Sequence, residues 1–245
     1  MSGHSKWNNI KRKKEKTDSQ KAKIFTKMAR EIAVVVKSSG ADPATNGKLR
    51  DIIAKAKSLN VPNDNIDRAI KKASDAKGDD YEAITYEGYG PGGVAVLVET
   101  LTDNRNRTAG NMRHYFDKFG GNMGTTGCVS FMFTEKGIIL LNAEGVDEEV
   151  VMEDAFEAGA DDFDMSEDMI EITCDPANLG TVREALEAKG YKLESAEAEY
   201  VPATTTALGD ENDLRKMGLL LDAFDDDDDV QNVWHSMENE EDLDR

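Results

Sequence analysis

Apolar residues recur every three or four positions through the first third of the chain, which is the spacing of one buried helix face. The first such stretch follows residues 17–19, whose side chains suit a helix N-terminus. Its apolar positions are Phe25, Met28, Ala29, Ile32, Val35 and Val36. Asp42 with Pro43, and later Asn63 with Asp64, begin two further stretches of this kind. The pattern therefore predicts three helices within residues 17–77, whose apolar faces can close one small core.

After residue 78 the pattern becomes strand-like, over residues 81–89 and 94–102, with a turn rich in Gly and Pro between them. This predicts a β-hairpin. The turn glycines satisfy G-x-G-x-x-G, but a dinucleotide site needs a helix after the last glycine, and a strand follows. A helix to about Phe119, a glycine-rich loop and a strand over residues 128–133 are predicted next. The loop could present backbone N–H groups to phosphate, and Val129, Phe131 and Phe133 are expected to pack in the core.

From residue 136 the predicted order is strand, helix, strand, strand, helix, strand, which is the ferredoxin-like arrangement. After Pro202 a helix over residues 211–224 and a strand over residues 230–237 complete the earlier sheet. The sequence thus predicts an α+β multidomain fold, with an N-terminal three-helix domain followed by two α/β domains. The predicted boundaries are 1–77 for the helical domain, 78–134 plus 201–245 for a discontinuous domain, and 135–200 for the ferredoxin-like insertion.

Charge is divided unequally along the chain, which carries −19 overall. Residues 1–77 hold 19 Lys and Arg against 8 Asp and Glu, so this part carries +11 and the remainder −30. Such a division predicts a polyanion-binding region on an acidic body, and nucleic acid is the expected partner. A solvated, disordered tail is the alternative. The candidate nucleic-acid-binding residues in this region are Lys6, Trp7, Lys11, Arg12, Lys13, Lys14, Lys16, Lys23, Lys27, Arg30 and Lys37.

Arg105 and Arg107 fall in the first turn of the helix that ends near Phe119, where the helix dipole favours anions over cations. Two interpretations stay open. Either an anion binds at this helix end, shared by backbone N–H groups and guanidinium groups, or the arginines pair with Asp103 or Glu99. The first makes Arg105 and Arg107 a second nucleic-acid-binding site.

Five consecutive aspartates occupy residues 225–229. Adjacent carboxylates cannot all face one metal ion, and the spacing of an EF-hand is missing, so a solvated acidic turn is favoured. A further hypothesis is that this run repels nucleic acid from one face, or contacts the basic arm of residues 1–16 when no ligand is bound.

Several classes of protein are disfavoured. No apolar run approaches membrane-spanning length, no secretory signal is recognisable, and Cys128 and Cys174 lack the spacing of a zinc site or disulfide framework. The three histidines lie in unrelated segments, so no catalytic set is indicated. No enzyme activity, cofactor or metal is expected, and the simplest setting is the reduced cytoplasm.

Several short motifs resemble the YebC/PmpR family, which includes the mitochondrial translational activator of cytochrome oxidase. They lie at residues 3–7 (GHSKW), 23–27 (KIFTK), 86–93 (YEGYGPGG) and 103–108 (DNRNRT). Two more, at residues 120–122 and 229–233, extend the match over essentially the whole chain. The resemblance implies three domains, the third inserted in the second, in a cytoplasmic nucleic-acid-binding regulator without catalytic residues.

Members of this family are described in two ways, as DNA-binding transcriptional regulators and as ribosome-associated translation factors that help at difficult nascent sequences. The expected function is therefore that of a DNA-binding transcriptional regulator, with an RNA-binding translation factor as the alternative. Double-stranded DNA or ribosomal RNA, and the ribosome itself, are the implied partners. The sequence alone does not distinguish DNA from RNA as the partner.

Overall fold

The structure is a computed structural model that describes residues 18–75, 80–166 and 168–243. Its contacts divide the chain into two compact units. The main unit comprises the described residues of Lys16–Phe133 and Pro202–Arg245, and the inserted unit comprises the described residues of Thr134–Val201. The boundaries of the three predicted domains stay a prediction.

Three helices begin the main unit: α1 (Asp18–Ser39), α2 (Gly47–Ser58) and α3 (Asn63–Ser74). The apolar faces predicted from the sequence form their common core, which includes Met28, Ile32, Val36, Leu49, Ala56, Val61, Ile66 and Ala73. Helix α2 begins later than the predicted start at Pro43, because the buried side chain of Asn46 caps it. The amide oxygen of Asn46 accepts from the Leu49 N–H at 3.1 Å, and its amide nitrogen donates to the Gly40 carbonyl at 2.7 Å.

A sheet follows the helices in the main unit. Its first elements are β1 (Glu82–Tyr89), β2 (Ala95–Thr102), α4 (Arg105–Lys118) and the short β3 (Asn122–Met123). Strands β1 and β2 form the predicted antiparallel hairpin. The predicted strand over residues 128–133 was wrong. Its residues form bends and a 3₁₀ turn at Ser130–Met132, and Phe131 is 77% exposed, although the sequence placed it in the core.

The inserted unit has the predicted ferredoxin-like order. Its elements are β4 (Phe133–Asn142), α5 (Glu148–Ala158), β5 (Asp162–Met165), β6 (Met169–Cys174), α6 (Leu179–Ala188) and β7 (Leu193–Pro202). The sheet order is β5-β6-β4-β7, and β6 is antiparallel to both of its neighbours. Both helices contribute to one core, through Val151 and Ala155 of α5 and Val182 and Leu186 of α6.

The chain then returns to the main unit with α7 (Glu211–Asp226) and β8 (Val230–His235). Strand β8 pairs with β2, so the first sheet has the order β3-β1-β2-β8. Helices α4 and α7 cover one face of this sheet through a core that includes Phe116, Met217 and Phe224. Three helices followed by two sheet-containing parts confirm the predicted α+β multidomain fold.

Candidate nucleic-acid interface

The predicted basic face of α1 meets the acidic segment that ends α7 and leads into β8. Lys23 Nζ lies 2.5 Å from an Asp226 carboxylate oxygen, and Lys27 Nζ donates to the Asp225 carbonyl at 3.1 Å. Arg30 donates to the Asp229 carboxylate and, at 2.9 Å, to the Leu101 carbonyl. The acidic run therefore contacts Lys23, Lys27 and Arg30, which lie on two successive turns of α1.

Asp229 is the centre of this contact, and its side chain is only 4% exposed. Its carboxylate accepts from Arg107 Nη2 at 2.8 Å, from the Thr108 hydroxyl at 2.6 Å and from the Thr102 hydroxyl at 3.2 Å, in addition to Arg30. These donors come from α1, β2 and α4, and all of them are more than 120 positions from Asp229 in sequence. The carboxylate therefore joins the helical part of the main unit to its sheet.

Protonation of Asp229 is strongly disfavoured. Burial by itself raises the pKa of this carboxyl, but hydrogen bonds from Thr108, Arg107 and Arg30 outweigh burial and hold the pKa at about 2. The hydrogen bond to Asp229, together with that to Asp103, raises the pKa of Arg107 above its usual value. The pair is thus fully charged throughout the physiological pH range.

The structure bears on both interpretations of the arginines in the first turn of α4. Arg107 pairs with Asp103 at 2.8 Å, as the second interpretation proposed, but it also binds Asp229, which neither foresaw. Arg105 is 3.3 Å from Glu82, and both side chains are largely exposed. The Asn104 side chain accepts from the Arg107 N–H at 3.1 Å and so caps the helix. The anion at this helix end is a carboxylate of the chain itself.

Of the other aspartates of the run, only Asp227 is partly buried. Asp227 accepts from the Tyr115 hydroxyl at 3.0 Å and from the Asn111 amide at 3.1 Å. Burial, followed by the charge of Asp227, raises the pKa of Tyr115 to about 12. The exposed members are Asp225, Asp226 and Asp228. The predicted solvated turn is therefore correct for only part of the run, and the described residues contain no group of His, Cys, Asp or Glu arranged to hold a metal ion.

Other basic residues of the helical part are differently placed. Lys37 at the end of α1 pairs with Asp80, but α2 and α3 carry exposed cations for which the described parts of the chain provide no ion-pair partner. They are Lys48, Arg50, Lys57, Arg68 and Lys71. The α2 members were missed as candidates, although their positions opposite the buried Leu49 and Ala56 were readable from the helical spacing.

The N-terminal candidates lie outside the described residues. They are Lys6, Trp7, Lys11, Arg12, Lys13, Lys14 and Lys16. Their role in binding stays a prediction.

A second buried carboxylate organises the loop between β3 and β4. Glu87 accepts from the N–H groups of Gly127 at 2.7 Å, Val129 at 3.0 Å and Ser130 at 2.9 Å. Burial opposes ionisation, but these hydrogen bonds lower the pKa of Glu87 below its usual value. The loop does present N–H groups to an anion, as its glycine content indicated, but that anion is the carboxylate of Glu87.

Together, these features are a basic helical part that contacts an acidic turn, and a ferredoxin-like unit inserted in the chain between the two segments of the main unit. Two family models agree with this description and cover nearly the whole chain. The TACO1/YebC protein N-terminal domain matches residues 5–76, and the TACO1/YebC second and third domain matches residues 81–237. The chain belongs to the TACO1/YebC family, and the predicted resemblance to YebC/PmpR proteins is confirmed.

Similar proteins come from several bacteria. Proteins named "Probable transcriptional regulatory protein" from Ruminiclostridium cellulolyticum and Acetivibrio thermocellus are each 57% identical, over 98% and 96% of this chain and 98% of their own lengths. The crystal structure of a conserved hypothetical protein, Aq1575 from Aquifex aeolicus, is 44% identical and superposes with a TM-score of 0.82. It covers 91% of this chain and 93% of that one. None of the helices in the described parts of this chain has the length and apolar content needed to cross a membrane.

Proposed function

We propose that this protein is a cytoplasmic regulator of transcription that binds double-stranded DNA through its helical part. The observation that carries the proposal is the set of exposed cations on α2 and α3, in a chain whose residues 78–245 carry a net charge of −30. Lysine and arginine side chains that neutralise phosphates release counterions from nucleic acid, which supplies affinity without reading sequence. The names of the relatives support a role in transcription.

The acidic residues of α3 argue for phosphate contact rather than insertion into the major groove. Helices α2 and α3 are joined by only four residues, as in a helix-turn-helix motif. However, the first turns of α3 expose Asp64 and Asp67, which would face the phosphates that line a groove. We therefore expect binding to duplex DNA with little dependence on base sequence.

Salt dependence provides the first test. Arg50 and Lys57 lie seven residues apart, so they share one face of α2, and we expect Arg50→Gln with Lys57→Gln to weaken binding to a 30-base-pair duplex. The slope of log K against log salt should become shallower by about 2, because each lost phosphate contact removes about 0.9. The matched control is Lys192→Gln with Arg215→Gln, which removes two exposed cations outside the helical part. Fluorescence anisotropy at several salt concentrations measures the slope for wild type and for both double variants. A wild-type slope near zero would refute polyanion binding altogether.

A second candidate function is that of a ribosome-associated RNA-binding translation factor. The exposed ring of Phe131 favours it, because aromatic side chains stack on the unpaired bases that RNA offers and duplex DNA does not. Sedimentation of cell extract on a sucrose gradient separates the two candidates. Migration with ribosomes that is lost when residues 1–16 are removed supports translation. Absence from ribosomes, combined with duplex binding at physiological salt, supports transcription.

A further inference from the structure

Phe131 is the most exposed large apolar side chain in the described parts of the chain, at 77%. Its neighbours in the same loop are buried, Val129 completely and Phe133 to 8% exposure. A phenylalanine held in water between two buried apolar residues contributes little to the core. Such a side chain is free to contact a ligand.

The loop that carries Phe131 is fixed at several points. Glu87 binds the N–H groups of Val129 and Ser130, immediately before Phe131. The Met132 N–H donates to the Val129 carbonyl at 2.9 Å, and the Met132 carbonyl accepts from the Ala203 N–H at 2.8 Å. The backbone on both sides of Phe131 is therefore held by hydrogen bonds. A ligand that contacts the ring does not have to order this loop, so binding costs less conformational entropy.

A second aromatic residue lies beside the same loop. Tyr89 follows Glu87 by two positions in β1, so both side chains leave the same face of the sheet. The Tyr89 hydroxyl lies 3.5 Å from the Cys128 carbonyl, and the side chain is 38% exposed. The chain also approaches Tyr89 closely at Gly121, where a Cβ atom would come within 2.4 Å of the Tyr89 carbonyl oxygen. Glycine at this position allows the loop to pack against the end of β1.

The charge around these rings is unusual for this chain. Residues 118–134 contain no Asp or Glu, and this is the longest such stretch in the sequence. Lys216 of α7 lies beside the loop, since a side chain on Gly120 would lie 3.4 Å from its Nζ atom. Lys118 Nζ lies 5.0 Å from the centre of the Phe119 ring. The stretch therefore contributes no carboxylate of its own, the nearby carboxylate of Glu87 is buried against the loop N–H groups, and two ammonium groups lie near the Gly120 end.

We propose that Phe131 and Tyr89 form a binding site for an unpaired nucleobase, with Lys118 and Lys216 available to the phosphates that flank it. Stacking on aromatic rings beside a cationic edge is how single-stranded nucleic acid is bound without sequence preference. An apolar peptide is a less suitable occupant, because the loop residues around the rings are mainly Gly, Thr, Ser and Asn rather than an apolar groove. The inference rests on the second candidate function, RNA binding, because RNA offers unpaired bases and duplex DNA does not.

The test uses the full chain and a single-stranded RNA 12-mer that contains one 2-aminopurine, whose fluorescence falls when the base stacks. We expect wild type to quench the fluorescence and Phe131→Ala to remove the quenching and weaken binding roughly tenfold, the usual effect of losing one stacked base. Phe131→Trp should restore both. The matched control is Phe156→Ala, which removes an exposed phenylalanine of the inserted unit that lies between Glu153 and Glu157. It should change neither quenching nor affinity.

The outcomes separate this inference from the proposed function. If Phe131→Ala binds and quenches like wild type, while Arg50→Gln with Lys57→Gln still weakens duplex binding, the stacking site is refuted and the proposed function stands. If wild type binds the 12-mer without quenching, phosphate contact alone explains binding and the inference fails. If wild type binds neither RNA nor DNA at any salt concentration, both fail. Loss of binding to an apolar peptide in Phe131→Ala, with RNA binding unchanged, would identify a protein partner instead and also overturn the inference.

Discussion

Asp229 and Glu87 are both buried carboxylates of the main unit, but they are neutralised in different ways. Asp229 binds two guanidinium groups and two hydroxyls from α1, β2 and α4, all of them distant from Asp229 in sequence. Glu87 binds three backbone N–H groups of a single loop. Loss of Asp229 should therefore weaken contacts between elements and leave cations without a partner, whereas loss of Glu87 should release one loop. An internal anion can therefore either join elements or shape a loop, depending on its donors.

Removal of the Asp229 carboxylate should destabilise the folded protein more than any other change considered below. Asp229→Ala leaves Arg30, which is largely buried, without its charged partner. Breaking a buried ion pair in this way lowers the free energy of unfolding by about 3 kcal/mol. Urea denaturation followed by circular dichroism measures the change. The control is Asp228→Ala at the exposed neighbouring position, which should cost less than about 0.5 kcal/mol. Equal effects at the two positions would show that Asp229 does not join the elements.

Lowering the pH should remove the stability that the Asp229 carboxylate contributes to the folded protein, without any mutation. Its pKa is about 2 in the folded protein and near 3.9 in an unfolded chain, so the unfolded state binds protons first as the pH falls. The associated stability, roughly 2 kcal/mol, is present above about pH 4 and is lost as the pH falls through 2. Urea denaturation of wild type and Asp229→Asn at intervals from pH 6 to pH 2 measures it. The difference between the two proteins should shrink on acidification, and a constant difference would contradict the assignment.

A smaller and more local effect is expected at Glu87. Glu87→Gln replaces one acceptor oxygen with an NH₂ group that faces N–H donors, and leaving such groups unpaired costs about 1–2 kcal/mol. Amide hydrogen exchange should accelerate at Gly127, Val129 and Ser130, while the amides of α1 and α4 keep their protection. Faster exchange throughout the main unit would show that Glu87, like Asp229, supports contacts between distant elements.

The elements with strong periodicity were predictable, because burial of one helix face decides their structure. The core residues of α1, such as Met28, Ile32 and Val36, follow directly from their spacing. The strand predicted over residues 128–133 failed although Val129, Phe131 and Phe133 alternate. Its N–H groups bind a side chain, Glu87, instead of a neighbouring strand, and an alternating pattern does not distinguish these two acceptors.

The contacts of the candidate-site residues were less predictable, because they too depend on residues that are distant in sequence. The charge division identified the basic region, and one of the two open interpretations paired Arg105 or Arg107 with Asp103 or Glu99, as Arg107 does with Asp103. Asp229 could not be foreseen, since it lies 122 positions from Arg107 and becomes its neighbour only through the pairing of β8 with β2. A run of five aspartates also gives no sign of which members are buried. That choice depends on where α7 ends and β8 begins.

The end of α7 has a practical consequence for work with fragments. Asp225 and Asp226 occupy a helix C-terminus, where the helix dipole disfavours carboxylates, and Lys23 and Lys27 of α1 offset this repulsion. A fragment containing only the three helices would lack those carboxylates. It would expose Lys23 and Lys27, which in the intact chain contact the end of α7. If the proposed nucleic-acid binding is correct, we expect such a fragment to bind DNA or RNA more tightly than the whole protein. Affinities measured on the separated helices would then overstate those of the intact chain.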